Sequence, residues 1–201
     1  MDQNNPDKIE LDVSDPIWDR FFYVISLVII GTREPDGGHD LAPKHMAMPI
    51  GWDNYYGFVC SPSHGTHVNI ERDGVFTASY PRPDQLLQTS LAASPRFDKV
   101  GKPALAALPV VPARVVDGVV VDGSYVELEC ELDRIIDGFG PNSLIIGRVV
   151  AARVAEDALR KMDEDDADLI HHSPLLAYLS PGRFATLDKS LSFPFPAGMR
   201  K

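Results

Sequence analysis

The residues best suited to chemistry sit together in Ser61-Pro62-Ser63-His64-Gly65-Thr66, a loop of hydroxyls and one glycine that runs straight into a helix predicted over Thr66 to Asp73. Hydroxyl and backbone N–H donors at a helix start hold an anion, because the orphan amides and the helix dipole both favour negative charge there. Gly65 lets the backbone come close to such a ligand. A chain of net charge −10 has no surplus of Lys and Arg, so a phosphate must be met by a local cluster of donors. Ser63 and Thr66 lead as phosphate ligands, with Ser61 and Arg72 next in line. Thr66 is equally placed to cap the helix, and capping and phosphate binding can coexist.

Histidine offers a second chemistry. His64 and His67 are three apart, and His39, His45, His171 and His172 are also available to a divalent cation. No Glu stands in a His-Glu-x-x-His arrangement and His64 precedes the helix, so no metal is expected. His171 and His172, beside Pro174-Leu175, are candidates for approaching a redox group, although an exposed pair before a proline turn reads equally well. Gly-x-Gly-x-x-Gly, Gly-x-x-x-x-Gly-Lys-Ser/Thr and Gly-x-Ser-x-Gly are all absent, which removes the dinucleotide-fold, P-loop and nucleophile-elbow readings. The cysteines, Cys60 and Cys130, lack Cys-x-x-Cys spacing and are read as reduced core residues.

The elements that must position these groups are mostly strands. Phe22 to Gly31, Tyr56 to Cys60, Val75 to Tyr80, Gly118 to Val121, Tyr125 to Ile136 and Ser143 to Val154 are rich in Val, Ile, Tyr and Phe between Gly, Pro and Asp. Glu127, Glu129 and Glu131 alternate with apolar residues, which predicts a solvated face for all three. Besides Thr66 to Asp73, which Gly74 is suited to end, helices are predicted over Pro83 to Ala93 and Ala155 to Met162. Lys102 to Pro112 reads as an irregular connection and Asp163 to Asp166 as a solvated acidic loop. Ser192-Phe193-Pro194-Phe195-Pro196 reads as a tail packed along a surface or a partner subunit.

At 201 residues, 44% hydrophobic and 24% charged, the chain is long enough for one sizeable core. Its acidic balance argues against nucleic acid or an anionic membrane as partner. The longest apolar run, Val24 to Ile30, falls far short of the roughly 20 residues that cross a bilayer. Met1 to Asp12 has no apolar h-region, so a cytoplasmic protein is expected.

Taken in order, several segments resemble the flavin reductase-like FMN-binding family. Ile29-Ile30-Gly31-Thr32 leads to His39-Asp40-Leu41-Ala42-Pro43, where the family reads Gly-x-x-Asn-Leu-Ala-Pro-x-Ser on a strand lining the flavin. Ser61 to Ile70 is similar to its Lys/Arg-Asp-Thr-x-x-Asn-Ile, and Gly74-Val75-Phe76-Thr77-Ala78-Ser79 to its Gly-Glu-Phe-x-Val-x strand. Leu128-Glu129-Cys130, Ile145-Ile146-Gly147-Arg148-Val149-Val150 and His171 to Tyr178 with Gly182-Arg183-Phe184 resemble the closing strands, so the likeness spans about Val24 to Leu187. The resemblance implies a mainly β chain with inserted helices, an FMN-binding split β-barrel forming a single domain over 1–201 with a tail extending from about residue 188.

The resemblance further implies FMN, with FAD as the alternative, held at a homodimer interface. Asp40, Leu41, Ala42, Pro43, His45, Ser61, Ser63, His64, Gly65, Thr66 and Asn69 are its candidate contacts. It implies hydride transfer from NAD(P)H to the flavin, which then supplies free flavin, oxygen or a partner monooxygenase; the other reading is an electron carrier or flavin holder without turnover. The cofactor would do the chemistry, which explains why no acid/base pair stands out. Three positions depart from the family pattern: Asp40 replaces Asn, His45 replaces Ser, and His64-Gly65 replaces Lys/Arg-Asp. An ionised Asp40 cannot donate to a flavin carbonyl, and the last change removes a permanent cation from the phosphate loop.

Overall fold

The structure, a computed structural model, describes residues 8–96, 101–161 and 167–192. The predicted first strand is two: β1 (Tyr23–Ser26) and β2 (Val28–Arg33) part at Leu27 and enter different sheets. Next come β3 (His39–Lys44), β4 (Ala47–Pro49), β5 (Tyr55–Cys60), α1 (Gly65–Asp73) and β6 (Val75–Tyr80). A single 3-10 turn, Pro83–Gln85, leads into α2 (Leu86–Ala92). The chain continues through β7 (Val110–Pro112), β8 (Val119–Val121) and the long hairpin of β9 (Val126–Phe139) and β10 (Asn142–Val154). It closes with α3 (Ala167–His172), β11 (Leu175–Ser180) and β12 (Arg183–Leu187).

The main sheet has seven antiparallel strands in the order β3-β2-β6-β9-β10-β5-β4, beside a three-stranded sheet β1-β11-β12 and the pair β7-β8. This is the mainly β split barrel that the sequence resemblance implies. Alternate residues of β2 enter different cores. Val28 and Ile30 pack with Tyr56, Phe58, Ile70 and Phe76, whereas Ile29 joins Leu41, Ala92 and Val121. A strand buried on both faces needs an unbroken apolar run, which is what Val28-Ile29-Ile30 supplies. Gly31 extends it where no side chain fits: a Cβ there would lie 2.6 Å from the Val119 carbonyl oxygen and against the Thr77 hydroxyl. Among the described residues no helix is long and apolar enough to cross a membrane.

The solvated acidic face needs correcting. Glu129 is 2% exposed and its carboxylate accepts the backbone N–H groups of Arg114, Val115 and Val116 at 2.7–3.1 Å. Glu127 is partly buried and pairs with Arg153 at 2.6 Å, so only Glu131 is wet. Alternation registered the pleat correctly, but the segment before β8 folds back over that face and covers it. In the described part of the helix expected over Ala155 to Met162 there is only a turn at Glu156–Ala158, and α3 forms later, where no helix was expected. Lys102 to Pro112 contains the short helix Pro103–Ala107 and β7, where an irregular connection was expected. The acidic run Asp163 to Asp166 and the Phe193 to Pro196 tail lie outside the described residues. Cys60 and Cys130 are buried and unpaired, and burial above all pushes the Cys130 thiol up to about 12.

Candidate cofactor site

Two cavities meet where β3 runs past α1 and α2. The first, about 390 Å³, takes Asp40, Ala42, Pro43 and Lys44 from β3 and Ser63, His64, Gly65 and Thr66 from the loop and first turn of α1. Ala92, Ala93, Arg96 and Lys102 close its third side. Asp40 lies at its base, 2% exposed. Lys102 Nζ stands 2.9 Å from Oδ1 and Arg96 3.5 Å from Oδ2, while the Thr66 hydroxyl donates to Oδ2 at 3.4 Å. The Lys102 ion pair is off the hydrogen-bond line, because Oδ1 has no hydrogen-bond donor and Lys102 aims its protons at the carbonyls of Leu41 and Ala92.

Lys44, Arg96 and Lys102 therefore make this cavity a basic spot on an acidic chain. The cation missing from the 61–66 loop comes from distant sequence. Arg96 is held by a fork of bonds to Glu34, 2.5 and 3.2 Å, and a Cβ on Gly65 would meet its guanidinium at 2.9 Å. Gly65 thus gives room to a cation as well as to backbone. His64 shows no side-chain cap on α1, and the Thr66 hydroxyl serves Asp40 rather than the helix end, which corrects the capping expectation. Burial foremost, with Lys44 and Lys102 behind it, lowers the His64 pKa, so it is neutral near pH 7.

The second cavity, about 260 Å³, is an aromatic slot. Leu27, His45, Tyr178 and Phe184 form half of its wall, with Thr89 and Ser90 of α2 on another side. The His45 ring lies 5.0 Å from Tyr178, and Tyr178 lies 5.4 Å from Phe184. The Tyr178 hydroxyl accepts the Gly182 N–H at 2.8 Å, which fixes the ring. Burial, then Lys44, lowers the His45 pKa. Pro43 and Ala93 line both cavities, so the two adjoin.

The predicted residues divide accordingly. Asp40, Ala42, Pro43, Ser63, His64, Gly65 and Thr66 line the basic cavity, and His45 lines the slot. Leu41 points inward, into the core with Ile29. Ser61 stands one step behind, bonded to Ser63 at 3.0 Å. Asn69 is a buried bracket: it donates to Thr32 and Glu34 and accepts from Arg72. His171 and His172 are exposed on α3, ring against ring, and line neither cavity. Nothing local in the sequence marks Arg96, just after α2, or Lys102, at the head of the Pro- and Ala-rich stretch; folding alone brings them to Asp40.

Residues 23–185 match the flavin reductase like domain. The chain belongs to the flavin reductase-like family. Among the family's likenesses, an uncharacterized protein of Methanothermobacter thermautotrophicus is 28% identical over 159 residues, 76% of this chain and 73% of its own. The fold is shared with flavoredoxin of Methanosarcina acetivorans, TM-score 0.76 at 18% identity, covering 96% of this chain and 97% of that one. It is shared too with an FMN-binding protein of Thermus thermophilus solved with bound p-hydroxybenzaldehyde, TM-score 0.74 at 21% identity, covering 93% and 99%. For this flavin reductase-like chain those identities speak for the fold.

Proposed function

We propose that this chain binds FMN across the two cavities, with phosphate and ribityl chain in the basic cavity and the isoalloxazine in the aromatic slot, and that it reduces the flavin with NAD(P)H. The observation that carries the reading is adjacency: a cavity with three cations shares Pro43 and Ala93 with a slot that carries three rings. A phosphate near two negative charges suits Lys44, Arg96 and Lys102. Asp40 Oδ1, buried and without a hydrogen-bond donor, supplies an acceptor for a ribityl hydroxyl. His45, Tyr178 and Phe184 would hold the ring and exclude water. The flavin, when bound, accepts a hydride and passes the electrons to free flavin, oxygen or a partner monooxygenase.

The homodimer has its own support. On β4, β5, β10 and β9 the rows Met48–Gly57–Ile146 and Val59–Leu144–Ile136 share the face opposite the core residues Ala47, Phe58 and Ile145. Met48 is 60% and Ile136 40% exposed there, an apolar sheet face that a second copy would cover. The alternative, a flavin carrier without turnover, shares the same two cavities. Titration with FMN followed by anaerobic stopped-flow mixing with NADH and NADPH separates the readings. Bleaching of bound FMN on a millisecond-to-second scale supports the reductase, no bleaching by either donor leaves the carrier, and failure to bind FMN at all sinks both.

A further inference from the structure

Resting on the FMN reading and deepening it, we infer that His45 is the redox-linked proton site of this protein: neutral beside the oxidised ring, it takes up one proton when the ring is reduced. His45 stands where the family pattern has Ser, so the inference concerns a group this chain has and the pattern lacks.

The geometry supplies the reason. A molecule whose phosphate lies among Arg96 and Lys102 extends past Pro43 and Ala93 into the slot where His45 is part of the wall. The charged and titratable groups around that slot are few. On its own strand end His45 has Lys44, whose ammonium is turned to the other cavity and donates to Cys60 Sγ at 3.3 Å. β11 presents Tyr178, whose hydroxyl is tied to Gly182. α2 presents the neutral Thr89 and Ser90, and β12 presents Phe184. Among the described residues no carboxylate lines the slot and no cation does, so a negative charge arriving on the ring meets no counter-charge in the slot wall, Lys44 lining the other cavity.

His45 can supply one. Among the described residues neither of its ring nitrogens has a hydrogen-bond partner, and its contact is to the Tyr178 ring. Burial and Lys44 hold it neutral at the start, and a negative charge within about 4–6 Å acts the opposite way, favouring the charged imidazolium. The balance is two electrons and two protons: the oxidised isoalloxazine takes two electrons and one proton and becomes the anionic reduced ring, and the second proton goes from solvent to His45. With reduced nicotinamide as donor, hydride carries both electrons and the first proton, oxidised nicotinamide leaves, and His45 again takes the second from water.

The test is the pH dependence of the midpoint potential of the FMN-loaded protein, against His45→Asn and His45→Gln. For a two-electron couple each proton taken up changes the equilibrium tenfold per pH unit, or about 30 mV. From about pH 7 to 8, above the ordinary histidine range, the native protein should move about 60 mV per pH unit, two protons, and both variants about 30 mV, one proton. Nitrogen NMR of histidine-labelled native protein gives a readout that needs no variant: the His45 imidazole should be neutral with oxidised FMN and protonated after reduction at the same pH. A native slope of about 30 mV, or a His45 signal unchanged by reduction, overturns the inference while FMN binding stands. A native protein that takes up no FMN overturns the reading beneath it, and the inference with it.

Discussion

Two carboxylates in this molecule are equally buried, Glu129 and Asp40, each 2% exposed, yet they do opposite things. Glu129 is surrounded by donors: three consecutive backbone N–H groups converge on it. Asp40 is surrounded by charge, with Lys102 and Arg96 near it and one oxygen lacking a hydrogen-bond donor at the base of a cavity. A buried acid whose lone pairs are filled by backbone is architecture, since it fixes the path of the chain. One that keeps an unfilled lone pair beside open space is poised for a ligand. Burial alone does not tell the two apart; the inventory of donors does.

The comparison is easiest to break at Glu129. Glu129→Ala leaves three N–H groups without their acceptor, of which only that of Val116 belongs to a buried residue, so urea unfolding should show a loss of about 1–3 kcal/mol. FMN affinity of the folded fraction should stay level, and a large fall in affinity with little loss of stability would reverse the assignment. Acid gives a second view of the same group. Burial raises the Glu129 pKa, but the three backbone bonds outweigh it and the net shift is downward. A depressed folded value means that its stabilisation is present above the ordinary glutamate pKa and is lost as pH falls through the folded one. Native protein should therefore lose stability with acid more steeply than Glu129→Gln.

Asp40's surroundings should respond in the opposite sense. Arg96→Ala removes a charge-assisted contact to phosphate, about 1.5–3 kcal/mol, or roughly tenfold to a hundredfold in FMN affinity by isothermal titration. Riboflavin, which lacks the phosphate, should bind the two proteins alike; equal weakening of both ligands would remove Arg96 from the phosphate site. Lys102→Met strands Asp40 without its nearer cation, so it should lose stability as well as FMN affinity. Adding Asp40→Asn should restore the stability and leave the affinity low, and recovery of both would make the ion pair purely structural. Smallest of all is Thr66→Ala. Its hydroxyl already serves Asp40 through a long 3.4 Å bond, so FMN affinity should fall by about 1 kcal/mol, roughly fivefold, with riboflavin less affected.

The sequence made the strands of the barrel legible because their pattern is local: β5, β6, β9 and β10 all fall within a few residues of their predicted spans. It also pointed to the β3 strand and the 61–66 loop as neighbours of one ligand, and these do line one cavity. What it hid was long-range. The split at Leu27 depends on which sheet each half pairs with. The burial of Glu129 depends on a return of chain from residues 114–116, and the basic cavity depends on Arg96 and Lys102 meeting a carboxylate more than fifty positions away. Charge spread thinly along a chain carries no period, so only folding shows where it gathers.

Gly31 lies under that same return of chain, pressed between β6 and the carbonyl of Val119. In a library in which every position is varied, its consequence would be read as intolerance: even alanine has to push aside Val119, whose oxygen accepts the Thr77 hydroxyl. Gly37, at φ 87° with nothing within 4 Å of a built Cβ, should accept asparagine, which tolerates that backbone region. Two glycines six residues apart would then carry opposite mutational records, one set by the space around it and the other by its own dihedral angle.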